Sequence, residues 1–304
     1  MSSTSHDPRS LVTVDADGFP CVESPVLQTE AGTRYLTAPG IALLSRPSFR
    51  PEGLAGFLAG FQDELGFDSY LADPVPLSPG AGICKAAGQL CYLSFGPRRS
   101  MNADGDRYFD NIRESGHGSV LEHANYSMLI YGVSRSLTHE LVRHRAGFAF
   151  SQVSQRYVSP DLVRFVERPE FRAMPELHAL FEERIDRLAQ EHLKLCSVLS
   201  EQQTAGAQLL HGDSRTDARK KLQQAARAAL SNETEAPIIV TGNARAWRHF
   251  LAMRGSEHAE LEIRALAALI WACLVSQDAL LFGDFRLGAA QDGAWILTTP
   301  TPRV

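Results

Sequence analysis

From Ala124 onward, polar and apolar positions alternate. Tyr126, Met128 and Ile130 fall on one face, and Asn125, Ser127 and Leu129 on the other. A period of two marks a strand buried on one side, and the spacing predicts one here. Elsewhere the period is closer to 3.6. Leu54, Phe57, Leu58 and Phe61 recur at helical spacing behind Pro51, a residue suited to a first helical turn. Ile83–Leu93 also reads as a helix. Ser134 or Ser136 can cap a helix carrying Leu137, Leu141 and His144. Met174–Gln203 reads as a long helix with Pro175 in its first turn. Leu177, Leu180, Phe181, Ile185, Leu188, Leu193 and Leu195 are its apolar positions, and Gly206 and Gly212 break it. Asp217–Leu230 follows as a helix with Arg227 close to its end. Asn243 can cap Ala244–Met253, stopped by Gly255, and Ser256 then caps a long apolar helix from Glu257 to about Leu281. Ile41–Leu44 and Arg156–Val158 suit short strands, and Ile238–Val240 is a short apolar run.

These elements predict an α+β fold: a modest mixed or antiparallel sheet with long helices packed on it. No internal repeat is visible. Residues 1–80 are rich in Pro, Gly, Ser and Thr, and we read them as an N-terminal extension docking on a main domain, 81–304. Residues 1–10 are expected to be disordered, and Asp73–Pro79 reads as a linker.

Composition narrows the function classes. At 304 residues the chain can bury a substantial core, and its net charge of −5 provides no general attraction for nucleic acid. Five widely spaced cysteines with no Cys-x-x-Cys pair point to reduced thiols. The N-terminus has no signal-peptide pattern, and no apolar run approaches the ~20 residues of a membrane helix. The expectation is a soluble, cytoplasmic protein.

Against that acidic background, His139–Tyr157 concentrates cations and amides: Arg143, His144 and Arg145, then Ser151, Gln152, Ser154 and Gln155, then Arg156. Guanidinium groups fork onto phosphate or carbonyl oxygens, so the run suits planar polyanionic ligands. A solvated helix end explains one or two of these charges but not the polar run with two aromatic residues behind them. Gly80-Ala-Gly82 is no dinucleotide fingerprint, because the third glycine would fall at Lys85 and no apolar strand precedes it. Zinc is disfavoured too. His139 and His144 lie five apart, about 140° around a helix, and no thiolate pair supports them.

Three ordered motifs carry a resemblance. Arg143-His144-Arg145 followed by Ser151-Gln152-Val153-Ser154-Gln155-Arg156-Tyr157 is similar to the signature of the flavin-dependent thymidylate synthases. Eight residues separate Arg145 from Ser154 where that family has seven, placing an insertion within Ala146–Phe150. Gly116–His123 resembles the family's His-x-Ser/Thr-x-x-Glu-His segment, and Asn243–Ile263 resembles a third motif. The match spans roughly residues 82–283. The resemblance implies that Ser119, Arg143, His144, Arg145, Gln152, Asn243, Arg245 and His249 hold FAD, with His117 near the flavin and folate face and Glu122 in support. It likewise assigns Glu140, Arg143, Gln152, Ser154, Arg156, Arg227 and Arg254 to deoxyuridine monophosphate (dUMP). Arg227 lies sixteen residues before Asn243, the family's spacing for a phosphate ligand from a neighbouring subunit. The resemblance also places Arg254 at the uracil ring and implies that it is the catalytic residue. Arg245 and His249, four apart, share a helix face, whereas Trp247, Phe250 and Leu251 belong to the core, and His258 and Glu262 read as an ordinary helix pair.

The implied reaction is reductive methylation of dUMP, with methylenetetrahydrofolate as carbon donor and NADPH reducing the flavin, in a homotetramer with shared sites. Two other classes stay open on residues alone. One is a metal-dependent hydrolase built on the histidines. The other is a non-catalytic nucleotide or RNA-binding protein using the arginines.

Overall fold

The alternating segment at Ala124 is the middle of the main sheet in a computed structural model that describes residues 7–204 and 215–304. In chain order the strands are β1 (Thr13–Val14), β2 (Pro20–Val22), β3 (Leu27–Gln28), β4 (Arg34–Leu36), β5 (Gly40–Ser45), β6 (Asn125–Tyr131), β7 (Phe148–Gln152), β8 (Phe165–Val166), β9 (Ile238–Asn243), β10 (Arg286–Ala289) and β11 (Trp295–Thr298). The main sheet runs β1-β2-β5-β6-β9-β7, with every neighbouring pair antiparallel. Strands β3, β4 and β8 form a small mixed sheet, and β10 and β11 a hairpin.

The period-two reading holds in β6. Tyr126, Met128 and Ile130 are buried, and Met128 and Ile130 pair with Val240 and Ile238 of β9. Each such side chain contributes roughly 1.5–3 kcal/mol by leaving water. The helices are α1 (Pro79–Cys91), α2 (Gly105–Glu114), α3 (Arg135–Leu141), α4 (Pro175–Thr204), α5 (Arg215–Ala226), α6 (Ala244–Arg254) and α7 (Leu261–Gln277). Helices α1, α2, α3, α6 and α7 join the main core, whereas α4 sets Phe181 and Ile185 against Tyr35 and Phe165 of the small sheet and α5 packs on α4. Of these, α7 is the central one: Ile263, Leu266, Ala267, Ile270, Cys273 and Leu274 are all 0% exposed. A helix apolar on every side belongs inside the core. The arrangement is mixed helix and sheet, as the pattern predicted. No helix among the described residues is long and apolar enough to cross a membrane.

Several boundaries differ from the expectation. Arg156–Val158 is a turn in which the Tyr157 and Val158 amides donate to Ser154 O, and the strand lies earlier, at β7. The reason is aromatic packing: Phe148 meets Phe150 and Trp247 at 5.7 and 4.9 Å between ring centroids. Ser256 does not cap α7. It sits in a turn closed by the Ala259 amide on Ser256 O, and Glu260 takes the N-cap position. That helix ends at Gln277, where Asp278 turns extended and accepts from the Ala81 amide at 2.8 Å. Helix α1 starts four residues before Ile83, with Pro79 in its first turn, so Pro79 is helix rather than linker. The segment behind Pro51 is broken into short pieces, Pro51–Leu54 and Ala55–Ala59, before Gln62–Leu65. In α4, Phe181 and Ile185 are buried, whereas Leu180, Leu193 and Leu195 remain exposed. The disorder expected of residues 1–10 does not extend to Pro8–Leu11, which form a short helical turn capped by Asp7, whereas 1–6, like Gly206 and Gly212 as helix breakers, lie outside the described residues.

Candidate active site

Ser134 starts the local chain of cause. Its hydroxyl accepts from the Leu137 amide at 3.1 Å and caps α3, while its own amide and hydroxyl donate to Glu262, each at 2.7 Å. Glu262 is 3% exposed, so α3 is pinned to α7 through a buried carboxylate. The pair expected between His258 and Glu262 is therefore absent: His258 is exposed ahead of α7, and Glu262 is occupied by Ser134. Thus anchored, α3 carries Glu140, and His144 follows on a turn beyond its end.

Both side chains grip Arg254, the last residue of α6. Arg254 Nη1 donates to Glu140 Oε2 at 2.6 Å, and its Nε donates to His144 Nε2 at 3.0 Å. His144 must accept at Nε2, which places its ring proton on Nδ1. Burial, then the Arg254 charge, then His249 push its pKa down to about 4, so the ring is neutral at ordinary pH. The imidazole also packs edge-on to Phe250 and His249, at 5.3 and 5.7 Å between centroids. Among the described residues, no hydrogen bond from Arg254 Nη2 accompanies those to Glu140 and His144.

The other end of α6 borders a cleft of about 290 Å³ lined by Glu122, Gly147, Asn243, Arg245, His249 and Arg303. Asn243 Oδ1 caps α6 by accepting from the Ala246 amide at 2.9 Å, which leaves Nδ2 to donate. Arg245 Nη1 meets Glu122 Oε1 at 2.6 Å. Two bare glycines give these side chains room. A Cβ at Gly118 would stand 2.9 Å from Arg245 Nε. One at Gly147, whose φ is +76°, would stand 2.8 Å from Asn243 Nδ2. Gly147 lies within Ala146–Phe150, where an insertion is expected, in a turn closed by the Phe148 amide on Arg145 O. Amide, imidazole and guanidinium donors around an open cleft match the oxygen-rich edges and phosphates of a flavin nucleotide, so the donor set fits that group.

The remaining candidates divide into two groups. Ser119, on the turn Gly118–His123, and Arg143 and Arg145, in the turn after α3, are exposed. Gln152, Ser154, Arg156 and Arg227 are not brought to the cleft. Gln152 pairs with Ile238 at the far end of β9 from Asn243, five residues or roughly 17 Å away. Ser154 Oγ accepts from the Arg156 amide at 3.3 Å, and the Arg156 guanidinium lies 5.4 Å from the Tyr157 ring centroid. Arg227 occupies the single turn after α5. Gly147 and Arg303 went unnoticed as site residues. A glycine next to the insertion was a signal for the first; nothing in the pattern marked the second. Among the described residues, no group of three or more His, Cys, Asp or Glu side chains could hold a metal ion.

The chain has relatives in sequence. A protein from Mycolicibacterium gilvum named flavin-dependent thymidylate synthase is 44% identical over 221 residues, 73% of this chain and 86% of that protein. Proteins of the same name from Mycobacterium avium and Mycobacterium leprae are 41% and 40% identical, covering 92% and 86% of their own lengths and 76% and 73% of this chain. The family described as thymidylate synthase complementing protein matches residues 78–278, which include α3, α6 and the Arg143–Arg145 triplet. With a match of that extent over the segments that build the site, the chain belongs to the thymidylate synthase complementing protein family of flavin-dependent thymidylate synthases.

Proposed function

We propose that this protein makes thymidylate by reductive methylation of dUMP at C5, with FAD as cofactor, methylenetetrahydrofolate as carbon donor and NADPH as reductant. The observation that carries the reading is the paired grip on Arg254 by Glu140 and His144, one helix away from the cleft of Asn243, Arg245 and His249. When bound, reduced flavin supplies hydride; the protein orients and tunes. Asn243, Arg245 and His249 would hold it, with Ser119, Arg143, His144 and Arg145 contributing and Gln152 reaching it from another subunit.

The C5 carbon of uracil is a poor nucleophile until the ring gains electron density. A fixed guanidinium stabilises negative charge developing at N3 and the carbonyl oxygens, and it does so best when already oriented. Glu140 and His144 supply that orientation by occupying Nη1 and Nε, which leaves the Nη2 donors for the pyrimidine. Gln152, Ser154, Arg156 and Arg227 would hold the sugar and phosphate. Their place at the opposite end of the β7–β9 ladder supports a nucleotide site composed by more than one subunit, as in a homotetramer.

The test is spectroscopic and chemical. Purified protein should show an oxidised-flavin absorption spectrum that NADPH bleaches, and should convert dUMP to thymidylate with methylenetetrahydrofolate. Arg254→Ala should keep the flavin and lose thymidylate formation by at least about 100-fold. Normal turnover in that variant would refute the role of Arg254, and a colourless protein that never takes up flavin would refute the whole reading.

A further inference from the structure

One wall of the Asn243–Arg245 cleft comes from residues beyond the family match, which ends at 278: Arg303 and Val304 line it. Their position is fixed from inside α6. Arg248, 1% exposed, lies between Arg245 and His249 in sequence but points the other way. Its Nε donates to Val304 O at 2.8 Å and its Nη2 to Thr301 Oγ1 at 3.1 Å. The same guanidinium donates to Leu281 O and forks onto the Asp284 carboxylate, which also accepts from Thr299 Oγ1 at 2.6 Å. Segment 299–304 is thereby latched to the helix that carries Arg245.

Charge gives the latch a purpose. Glu122 cancels the formal charge of Arg245, at 2.6 Å. Arg303 is exposed, and among the described residues no carboxylate lies within ion-pair distance of it. Of the charged side chains lining the cleft, Arg303 is the one left without an opposite side-chain charge among the described residues. An uncompensated guanidinium at the rim of an open cleft suits a phosphate, onto which it can fork two hydrogen bonds.

We infer that Arg303 is a phosphate-binding residue of the flavin cleft, held in place by Arg248 through segment 299–304. This rests on the assignment of the cleft to flavin above. The test compares full-length protein with Arg303→Ala and Arg245→Ala, each stripped of flavin and titrated by fluorescence with FAD and with riboflavin, which has no phosphate. Arg303→Ala should weaken FAD about tenfold and more, as loss of a charged hydrogen bond does, and change riboflavin less than about twofold. Its FAD affinity should also depend less on salt than that of the parent. If Arg245→Ala weakens FAD while Arg303→Ala does not, the inference fails and the flavin cleft stands. If neither variant changes FAD binding, the cleft is not the flavin site and both fail. Equal weakening of FAD and riboflavin by Arg303→Ala would also overturn the inference, because it would mark a packing role.

Discussion

His144 has a ring nitrogen that must accept a hydrogen bond, and its burial beside Arg254 keeps it able to do so. The consequence for pH has a definite sign. In an unfolded chain a histidine titrates near 6.5, and here the native value is about 4. Between those values the unfolded state binds a proton that the native state does not, so stability falls as pH drops from about 6.5 towards 4 and is untouched by this group above that window. His144→Gln, which keeps an acceptor without titrating, should shrink that loss; urea unfolding at pH 7 and pH 5 measures it. An unchanged difference between the two pH values would exclude His144 as its source. At this scale much was readable in advance. Glu140, His144, Asn243, Arg245, His249 and Arg254 stand in motifs whose spacing survives on paper. The Arg248 latch was not readable, since several of its partners are backbone carbonyls and residues over thirty positions away.

At the scale of elements, α3 and the turn into β7 decide whether those residues meet. Ser134→Ala removes the cap of α3 and leaves an oxygen of buried Glu262 without its donor. The expected cost is about 2–3 kcal/mol in denaturant unfolding, with slower thymidylate formation because Glu140 rides on that helix. A loss under about 0.5 kcal/mol would mean that water replaces the hydroxyl. Gly147→Ala should cost about 1–2 kcal/mol from its φ of +76° alone, and should speed flavin release because the new methyl meets Asn243. Release as slow as in the parent would show that the turn can shift without disturbing the cleft. The long helices and β6 were legible because each has one dominant period. The strand at β7 was missed because its boundary depends on Phe148 meeting Trp247, a contact between residues ninety-nine positions apart. Likewise, nothing local told Ser256 that Glu260 would take the cap.

For the whole molecule, the sheet separates two clusters of candidate residues by about the length of β9. If subunits complete one another's sites, coexpressed Arg254→Ala and Arg227→Ala chains, each inactive alone, should recover roughly a quarter of parental activity, one half times one half for random mixing. No recovery in isolated mixed oligomers would mean that each chain supplies its own site. Stability at this scale also has a pH signature. Burial pushes Asp284 up, but the Arg248 guanidinium outweighs it and holds the carboxyl at about 2. A depressed carboxylate stabilises the fold above its unfolded value near 3.8 and loses that contribution as pH falls towards 2. Arg248→Met should therefore cost about 3–5 kcal/mol at pH 7 and noticeably less near pH 3, as seen by thermal unfolding. The first eighty residues read as an extension docking on the main domain, and β2 and β5 of that stretch pair into the main sheet; β5 was legible at Ile41–Leu44, whereas the three residues of β2 leave little periodicity to read.

Arg245 and Arg254 stand nine positions apart on the unbroken helix α6, roughly 13 Å along its axis. If, as proposed, one side chain of this rod faces the cofactor and the other the pyrimidine, any tilt is transmitted to both at once. Engineering the enzyme towards a different base by reshaping the surroundings of Arg254 would therefore detune its hold on the cofactor, unless the compensating change is made at the opposite tip of the same rod.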